Sequence, residues 1–421
     1  MIGFAEQALN LLVDNDTVKA TSLRLPHPAT AAHPFPYATQ VPFDRWTGEV
    51  PYEERCIADQ AVFHNFAAEA GAVLDRWPME PMLAAFWDEV RRWSARTPLL
   101  GTCFAGARRT FERRWGCHNL EIGVSAVCRT EPFAWFACHL LSDLPRFRLI
   151  YNDCVHAYRK SHGIRSRNHP VPDLGCEDDF CETPFWGWRG GQARRGRLFA
   201  RLANGRLDLR AGAEAWPALP SPLSDPVAAV AAWQGLEHAG YKVRSRALSN
   251  TLYARLFLGD VFVHGIGGAK YDELTDAILR RFYGCEPPRY LVLTATRLLP
   301  LPSEPCGPDD RRRLMRQVRD MHYNPQRYVT ASADLDGLVL EKQAWIERSP
   351  QNARERRERF EALRKLTAIL RRALAVEEQR TRDALARCEQ QIAANAVLRR
   401  RDYAFCLYPE ATLRPFVTQM L

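Results

Sequence analysis

Two short stretches of this chain carry residue types at spacings that could do chemistry. The first is Asp14-Asn15-Asp16, which ends the apolar run Leu9–Val13. A continuous apolar run closed by polar residues reads as a buried parallel strand. Ligands collect at the carboxyl ends of such strands, where Asp14 and Asp16 could hold an amine or exchange its protons. Asp and Asn also favour plain turns, and that reading stays open beside the first.

The second stretch is His264-Gly265-Ile266-Gly267-Gly268-Ala269-Lys270-Tyr271-Asp272. It lies between a predicted strand, Asp260–His264, and a predicted helix, Lys270–Phe282. A further strand follows over Tyr290–Thr296. Strand, glycine loop and helix in that order can aim backbone amides at an anion. Gly265, Gly267 and Gly268 would supply the amides, with positive φ expected at Gly267 and Gly268. Lys270 would clamp the charge, because a cation near a helix start is disfavoured unless something anionic is bound. His264 could move a proton, and Tyr271 and Asp272 are secondary candidates. The pattern is neither G-x-G-x-x-G nor the P-loop with its Lys-Ser/Thr. A tight turn with a structural histidine is the alternative.

The twelve cysteines show no disulfide-like spacing and are expected to be reduced. Cys176 and Cys181, near His162 and His169, lack the second half of a zinc pattern. They are read as loop thiols, and no metal is expected.

Amphipathic helices are predicted over Tyr52–Trp77 and Met79–Ser94, with further helices through Lys160. Phe185–Leu209 reads as antiparallel strands, with Asn204-Gly205 as a hairpin turn. Asp225-Pro226 should open a helix, Asp as cap and Pro in the first turn. After Pro308 the chain reads as helical. From Gln351 to Asp402 an apolar stripe at steps of three and four (Phe360, Leu363, Leu366, Leu370, Leu374, then Leu385, Cys388, Ile392) predicts a coiled-coil arm. The arm should project and pair within the chain or with a second copy, and the apolar tail Tyr403–Leu407 should dock on the body. The expected division is 1–305 as an α/β core with helical and hairpin insertions, and 306–421 as arm and tail.

Composition narrows the classes. The 421 residues are 46% hydrophobic and 25% charged, as in a globular protein rather than a disordered one. No apolar run reaches the roughly 18 residues of a membrane span. Met1–Val18 lacks a signal-peptide pattern, so a cytoplasmic location is expected. The net charge is +9. Only six of the 58 basic residues are Lys, leaving 52 Arg, which is ascribed to genome composition. Acids interleave them, as in Glu355-Arg356-Arg357-Glu358, and this speaks against a nucleic-acid partner.

In this order the motifs resemble the cysteine-adding enzymes of bacillithiol biosynthesis. Leu11–Asp16 resembles that family's strand with an acidic end, and Phe104–Gly116 its phenylalanine-bearing helix. Val263–Tyr271 resembles its glycine-rich turn, and Pro288–Thr296 its proline–arginine strand. A closer likeness is to uncharacterised bacterial proteins carrying the sequence of His264–Glu273 and an ending similar to Arg401–Glu410. The resemblance implies a Rossmann-like parallel sheet with a helical insert and a coiled-coil arm. It implies a ligase that joins a cysteine-like amine to a sugar- or carboxylate-derived partner, with ATP or ADP as candidate cofactor.

Two departures are visible. The family has a glycine–glutamine–proline turn before its acidic strand, whereas eight residues precede Leu9; either the start is truncated or that half of the site is lost. The family's glycine loop also carries an acid, where this one reads Gly267-Gly268-Ala269-Lys270. The alternative function is a non-catalytic scaffold that forms a homodimer through its arm. On the enzyme reading, Asp14–Asp16 and Gly265–Lys270 should share one rim of one parallel sheet.

Overall fold

The computed structural model describes residues 7–192, 194–329 and 333–419. The chain begins with β1 (Leu9–Leu12), β2 (Ser22–His27) and β3 (Tyr37–Pro42), then α1 (Gln60–Leu74), α2 (Leu83–Ser94) and α3 (Leu100–Arg114). It continues through β4 (Leu120–Gly123), α4 (Val124–Val127), α5 (Glu131–Ser142) and α6 (Leu144–Ser161). Six strands follow: β5 (Cys176–Glu177), β6 (Phe180–Arg189), β7 (Gly196–Ala203), β8 (Arg206–Ala211), β9 (Glu214–Ala215) and β10 (Leu219–Pro220). Next come α7 (Pro226–His238), β11 (Tyr241–Ser245), α8 (Ala247–Tyr253), β12 (Phe262–His264), α9 (Ile266–Ala269), α10 (Asp272–Ile278) and β13 (Tyr290–Val292). The rest is helical: α11 (Pro308–Tyr323), α12 (Ala333–Glu347), α13 (Ala353–Ala373), α14 (Ala375–Leu398) and α15 (Glu410–Thr418).

This is not the Rossmann-like α/β core expected from the sequence. The largest sheet is a curled antiparallel half-barrel in the order β10-β8-β7-β6-β11, with β5 and β9 at its margins. Parallel pairing occurs in two isolated pairs, β1 with β4 and β12 with β13. The physical reason is burial. A parallel sheet needs both faces covered, yet Leu9, Val13, Val263 and Val292 are all exposed. A run of three or four apolar residues cannot distinguish a central strand from a half-exposed pair. Asp14–Asp16 and Gly265–Lys270 therefore follow strands of two different sheets, not one rim.

Local signals fared better. Asn204 and Gly205 both take positive φ and turn β7 into β8. Asp225 caps α7 by accepting from the Ala228 amide at 2.9 Å, with Pro226 in the first turn. The register of β6 on β7 shifts between Glu182 and Trp186, around Pro184, which has no amide for the ladder.

Two hydrophobic clusters hold the chain. One joins the half-barrel to α5, α6, α7, α8 and α10, with Phe133, Phe185, Trp233 and Tyr253 buried in it. The other joins α1, α2 and α3 to the tail, where Tyr403, Leu407 and Tyr408 are buried. The stretch from Gln351 to Asp402 divides at Leu374 into α13 and α14. α14 runs antiparallel to α11, with Arg311 on Glu389 at 2.8 Å and Thr381 on Met321 at 3.8 Å. α12 and α13 form a hairpin closed by Arg359, which donates to the Trp345 and Ile346 carbonyls. The buried Leu366, Leu370 and Cys388 thus face helices of the same chain, while Phe360 is exposed. Among the described residues no helix is long and apolar enough to cross a membrane.

The early segment is tied to the half-barrel by a buried ion cluster. Arg244 on β11, 1% exposed, donates to Glu53 at 2.8 Å and to Glu237 at 2.8 Å. Lys242 adds a contact with Glu54 at 2.6 Å. Burial works against the Arg244 charge, but the two carboxylates more than reverse this and raise its pKa. Replacing Arg244 by Met would strand two acids in low dielectric. Arg244→Met is expected to cost about 3–5 kcal/mol, measured by urea unfolding with Trp188, whose ring lies 5.7 Å from the guanidinium, as reporter. An unchanged midpoint would show that the cluster does not hold the two segments together.

Candidate functional site

The predicted site residues fall into two separate groups. Asp14 sits just past β1 and accepts from the Ser125 amide at 2.8 Å and the Ser125 hydroxyl at 2.5 Å. It lies over Gly123, where a Cβ would stand 2.4 Å from its carboxylate. Both oxygens are engaged at the start of α4, so Asp14 acts here as a cap. Asn15 is buried and donates to the Ser245 carbonyl at 2.8 Å. Asp16 pairs with Arg195 at 2.6 Å and with Lys19 at 3.6 Å. Every polar contact of the two acids is with the protein itself. No hydrogen bond or ion pair among the described residues links them to the second group.

That second group is built on β12, α9 and α10. Asp272, the first residue of α10, is fully buried. One of its oxygens accepts from Arg255 at 3.0 Å, and the other faces His264 Nε2. Arg255, 1% exposed, also pairs with Asp276 at 2.7 Å and donates to the Pro288 carbonyl. The Tyr290 ring lies 4.9 Å from the guanidinium. Burial, reinforced by Asp272 and Asp276, pushes the Tyr290 phenol up. His264 keeps 17% of its side chain exposed. Its Nδ1 lies over Gly268, where a Cβ would stand 2.4 Å away.

The arrangement is a histidine held by a buried carboxylate, itself held by a buried guanidinium. Such a set fixes one imidazole tautomer and leaves the other nitrogen free to accept a proton. No family model matches the chain, and no curated protein matches it.

The glycine segment differs from the expected anion loop. Ile266–Ala269 is a single helical turn opened by Gly265 at φ −73°, and neither Gly267 nor Gly268 takes positive φ. The Gly268 and Ala269 amides donate to the Gly265 carbonyl, and the Tyr271 amide to Gly268. Those three amides are spent on the turn, and of the Gly265, Gly267 and Gly268 amides expected to face an anion only that of Gly268 is among them. Lys270 ends this turn rather than starting the next helix, where a cation is favoured by the dipole. It is exposed. Tyr271 precedes α10, with its ring 6.3 Å from His169.

Arg255 was missed in the sequence, since it precedes Asp272 by 17 residues and no local period links them. Cys176 and Cys181, read as loop thiols, are bonded to each other across the β5–β6 turn. Among the described residues no group of three or more His, Cys, Asp or Glu is placed to hold a metal.

Gly268 gives a direct test of how His264 is seated. Gly268→Ala places a methyl against the imidazole and should displace it, at a cost of about 1–3 kcal/mol as overpacking. The checks are the unfolding midpoint and the titration of His264 by NMR. Gly267→Ala, which meets open space, should leave the His264 resonance in place. Equal effects at both positions would show that the contact over Gly268 does not seat the ring.

Proposed function

We propose that this chain is an acid–base enzyme acting on an amine nucleophile, with His264 as the group that takes and returns the proton. The observation that carries the reading is the fully buried Asp272, shared between Arg255 and His264. The carboxylate accepts a hydrogen bond from Nε2–H of a neutral imidazole and leaves the Nδ1 lone pair free. Because residue 268 has no side chain, the ring can pack against the turn, and Nδ1 has no hydrogen-bond partner among the described residues. An amine reaching it passes a proton to Nδ1 as its nitrogen bonds to the partner's carboxylic acid carbon, and the imidazolium, stabilised by Asp272, returns that proton to the departing hydroxyl, which leaves as water as the C–O bond breaks. Arg255 supplies the charge that balances Asp272 throughout.

The resemblance gives the substrate class: a cysteine-like amine and a sugar- or carboxylate-derived partner, joined through a carbon–nitrogen bond. No step is routed through a nucleotide. We assign no step to Asp14 and Asp16, whose carboxylates are paired with Ser125 and Arg195. The scaffold alternative is the weaker reading, because the buried faces of α13 and α14 are covered by α11 and α12 of the same chain.

The test is a mass-spectrometric search for the joined product, at the summed mass less water. The chain is incubated with cysteine and an amino sugar carrying malate, with and without ATP. The expected result is product with the wild-type chain and a rate about 10²–10⁴-fold lower for His264→Gln. The Gln variant should keep the wild-type unfolding midpoint, as its side chain is partly exposed. Full activity in His264→Gln would make the histidine structural. Absence of product from the wild-type chain would remove the substrate class.

A further inference from the structure

The arginines of α11 are ordered in a way that the chain's overall charge conceals. Arg312, Arg316, Arg319 and then Tyr323 recur at steps of four, three and four residues. Residues at those steps share one face of a helix. The stripe runs about 16 Å at 1.5 Å per residue. It forms one wall of an open groove of about 890 Å³, flanked by Arg313 and Arg327. Five of the eleven lining residues are Arg, whereas Arg is 52 of the 421 in the chain. Against Asp309 and Asp320 in the same lining, five arginines leave a net +3.

The pairing within the groove is uneven. Arg312 is paired with Asp309, Arg313 with Asp310 and Arg327 with Asp320. Asp320 is further occupied by Asn324 at 2.7 Å and the Tyr328 hydroxyl at 3.2 Å. Arg316 and Arg319, in the middle of the stripe, have no acidic partner among the described side chains. Tyr323, at the end of the stripe, is 62% exposed. Its only close aromatic neighbour among the described residues is His322, edge-on at 4.7 Å.

Unpaired guanidiniums in line, in a concave surface and ending at an exposed aromatic ring, match one ligand chemistry. A flexible chain of phosphates satisfies the arginines in succession, and an unstacked base covers the ring. We propose that this groove binds single-stranded nucleic acid, its phosphates on Arg312, Arg316 and Arg319 and one base on Tyr323. A duplex is excluded by the tyrosine, because a base within a stack offers no free face to it. Acids interleaved among the basic residues speak against nucleic acid in the sequence, whereas the folded α11 gathers arginines and an aromatic ring on one face. The inference is independent of the chemistry at His264.

The test uses the full chain and a fluorescein-labelled twenty-nucleotide thymidine oligomer, followed by anisotropy over a series of salt concentrations. Wild-type binding should weaken steeply with salt. Arg316→Gln with Arg319→Gln should lower affinity at least about tenfold and flatten the logarithmic salt slope by about 1.4, for two lost phosphate contacts. Tyr323→Ala should lower affinity at least about fivefold with the slope unchanged. All three residues are exposed, so both variants should keep the wild-type melting temperature. Arg354→Gln with Arg357→Gln, on the exposed face of α13, should change nothing. Three results would overturn the proposal: no binding by the wild type at about 0.1 M salt, wild-type affinity in the Arg316 and Arg319 variant, or an equal loss in the α13 variant. A Tyr323→Ala variant with unchanged affinity would overturn the base contact and reduce the groove to a general polyanion surface.

Discussion

Asp272 has no exposed surface, and a carboxylate at that depth costs several kcal/mol unless it is paired and hydrogen-bonded. Arg255 meets that demand, and in doing so it fixes the surrounding chain. Its guanidinium reaches Asp272 at the start of α10, Asp276 one turn later and the Pro288 carbonyl just ahead of β13. Arg255 itself sits on a wider π turn that continues α8. One side chain therefore locates the end of α8, the start of α10 and the segment entering β13 relative to each other. The short pair β12 and β13 has three residues in each strand. That is too little ladder to hold this geometry without the buried ion set.

A second device recurs at both groups of site residues. Each uses a glycine to seat a polar side chain that belongs to a neighbouring segment. His264 lies over Gly268, and Asp14 lies over Gly123, each where a Cβ would stand 2.4 Å away. Neither glycine takes a positive φ, so the requirement is space, not backbone freedom. The two seats differ in what remains free. The Asp14 oxygens are consumed by Ser125, whereas His264 is held through one ring nitrogen only. The distinction between a capping acid and a proton-transfer histidine rests on that unfilled nitrogen.

What the sequence disclosed follows from how far each interaction reaches along the chain. The Asn204-Gly205 hairpin and the Asp225 cap are settled within four residues, and both can be read from residue types alone. Sheet architecture is not local. Leu9–Leu12 pairs with Leu120–Gly123, and nothing in either run reports that no third strand joins them. The glycine-rich stretch reads as a strand-to-helix turn, whereas the short helical turn that Gly265 opens ahead of α10 has no signal in the residue types. His264 and Asp272 were both visible as candidates. Their joint role was not, since Arg255 is a further 17 residues from Asp272 with no periodic relation to it.

Charge illustrates the same limit. A net +9 made of arginine says little, because arginine does three different things in this molecule. Arg55, Arg244 and Arg255 are buried counter-ions, each 4% exposed or less. Arg195 and Arg246 lie against the Trp186 ring at 4.6 and 4.7 Å while holding Asp16 and Glu182. On α11 Arg312, Arg316 and Arg319 stand in line with no acid between them in sequence. Interleaved acids on α13 hide the difference in composition, since Arg354 and Arg357 reach Glu358 and Glu361 one turn on. The decisive variable is whether the carboxylate four residues away lies on the same face as the guanidinium. On α13 it does. On α11 the positions four residues after Arg312 and Arg319 are Arg316 and Tyr323, and the acid four residues after Arg316, Asp320, is taken by Arg327, Asn324 and Tyr328, so the stripe keeps a positive excess and ends in an aromatic ring.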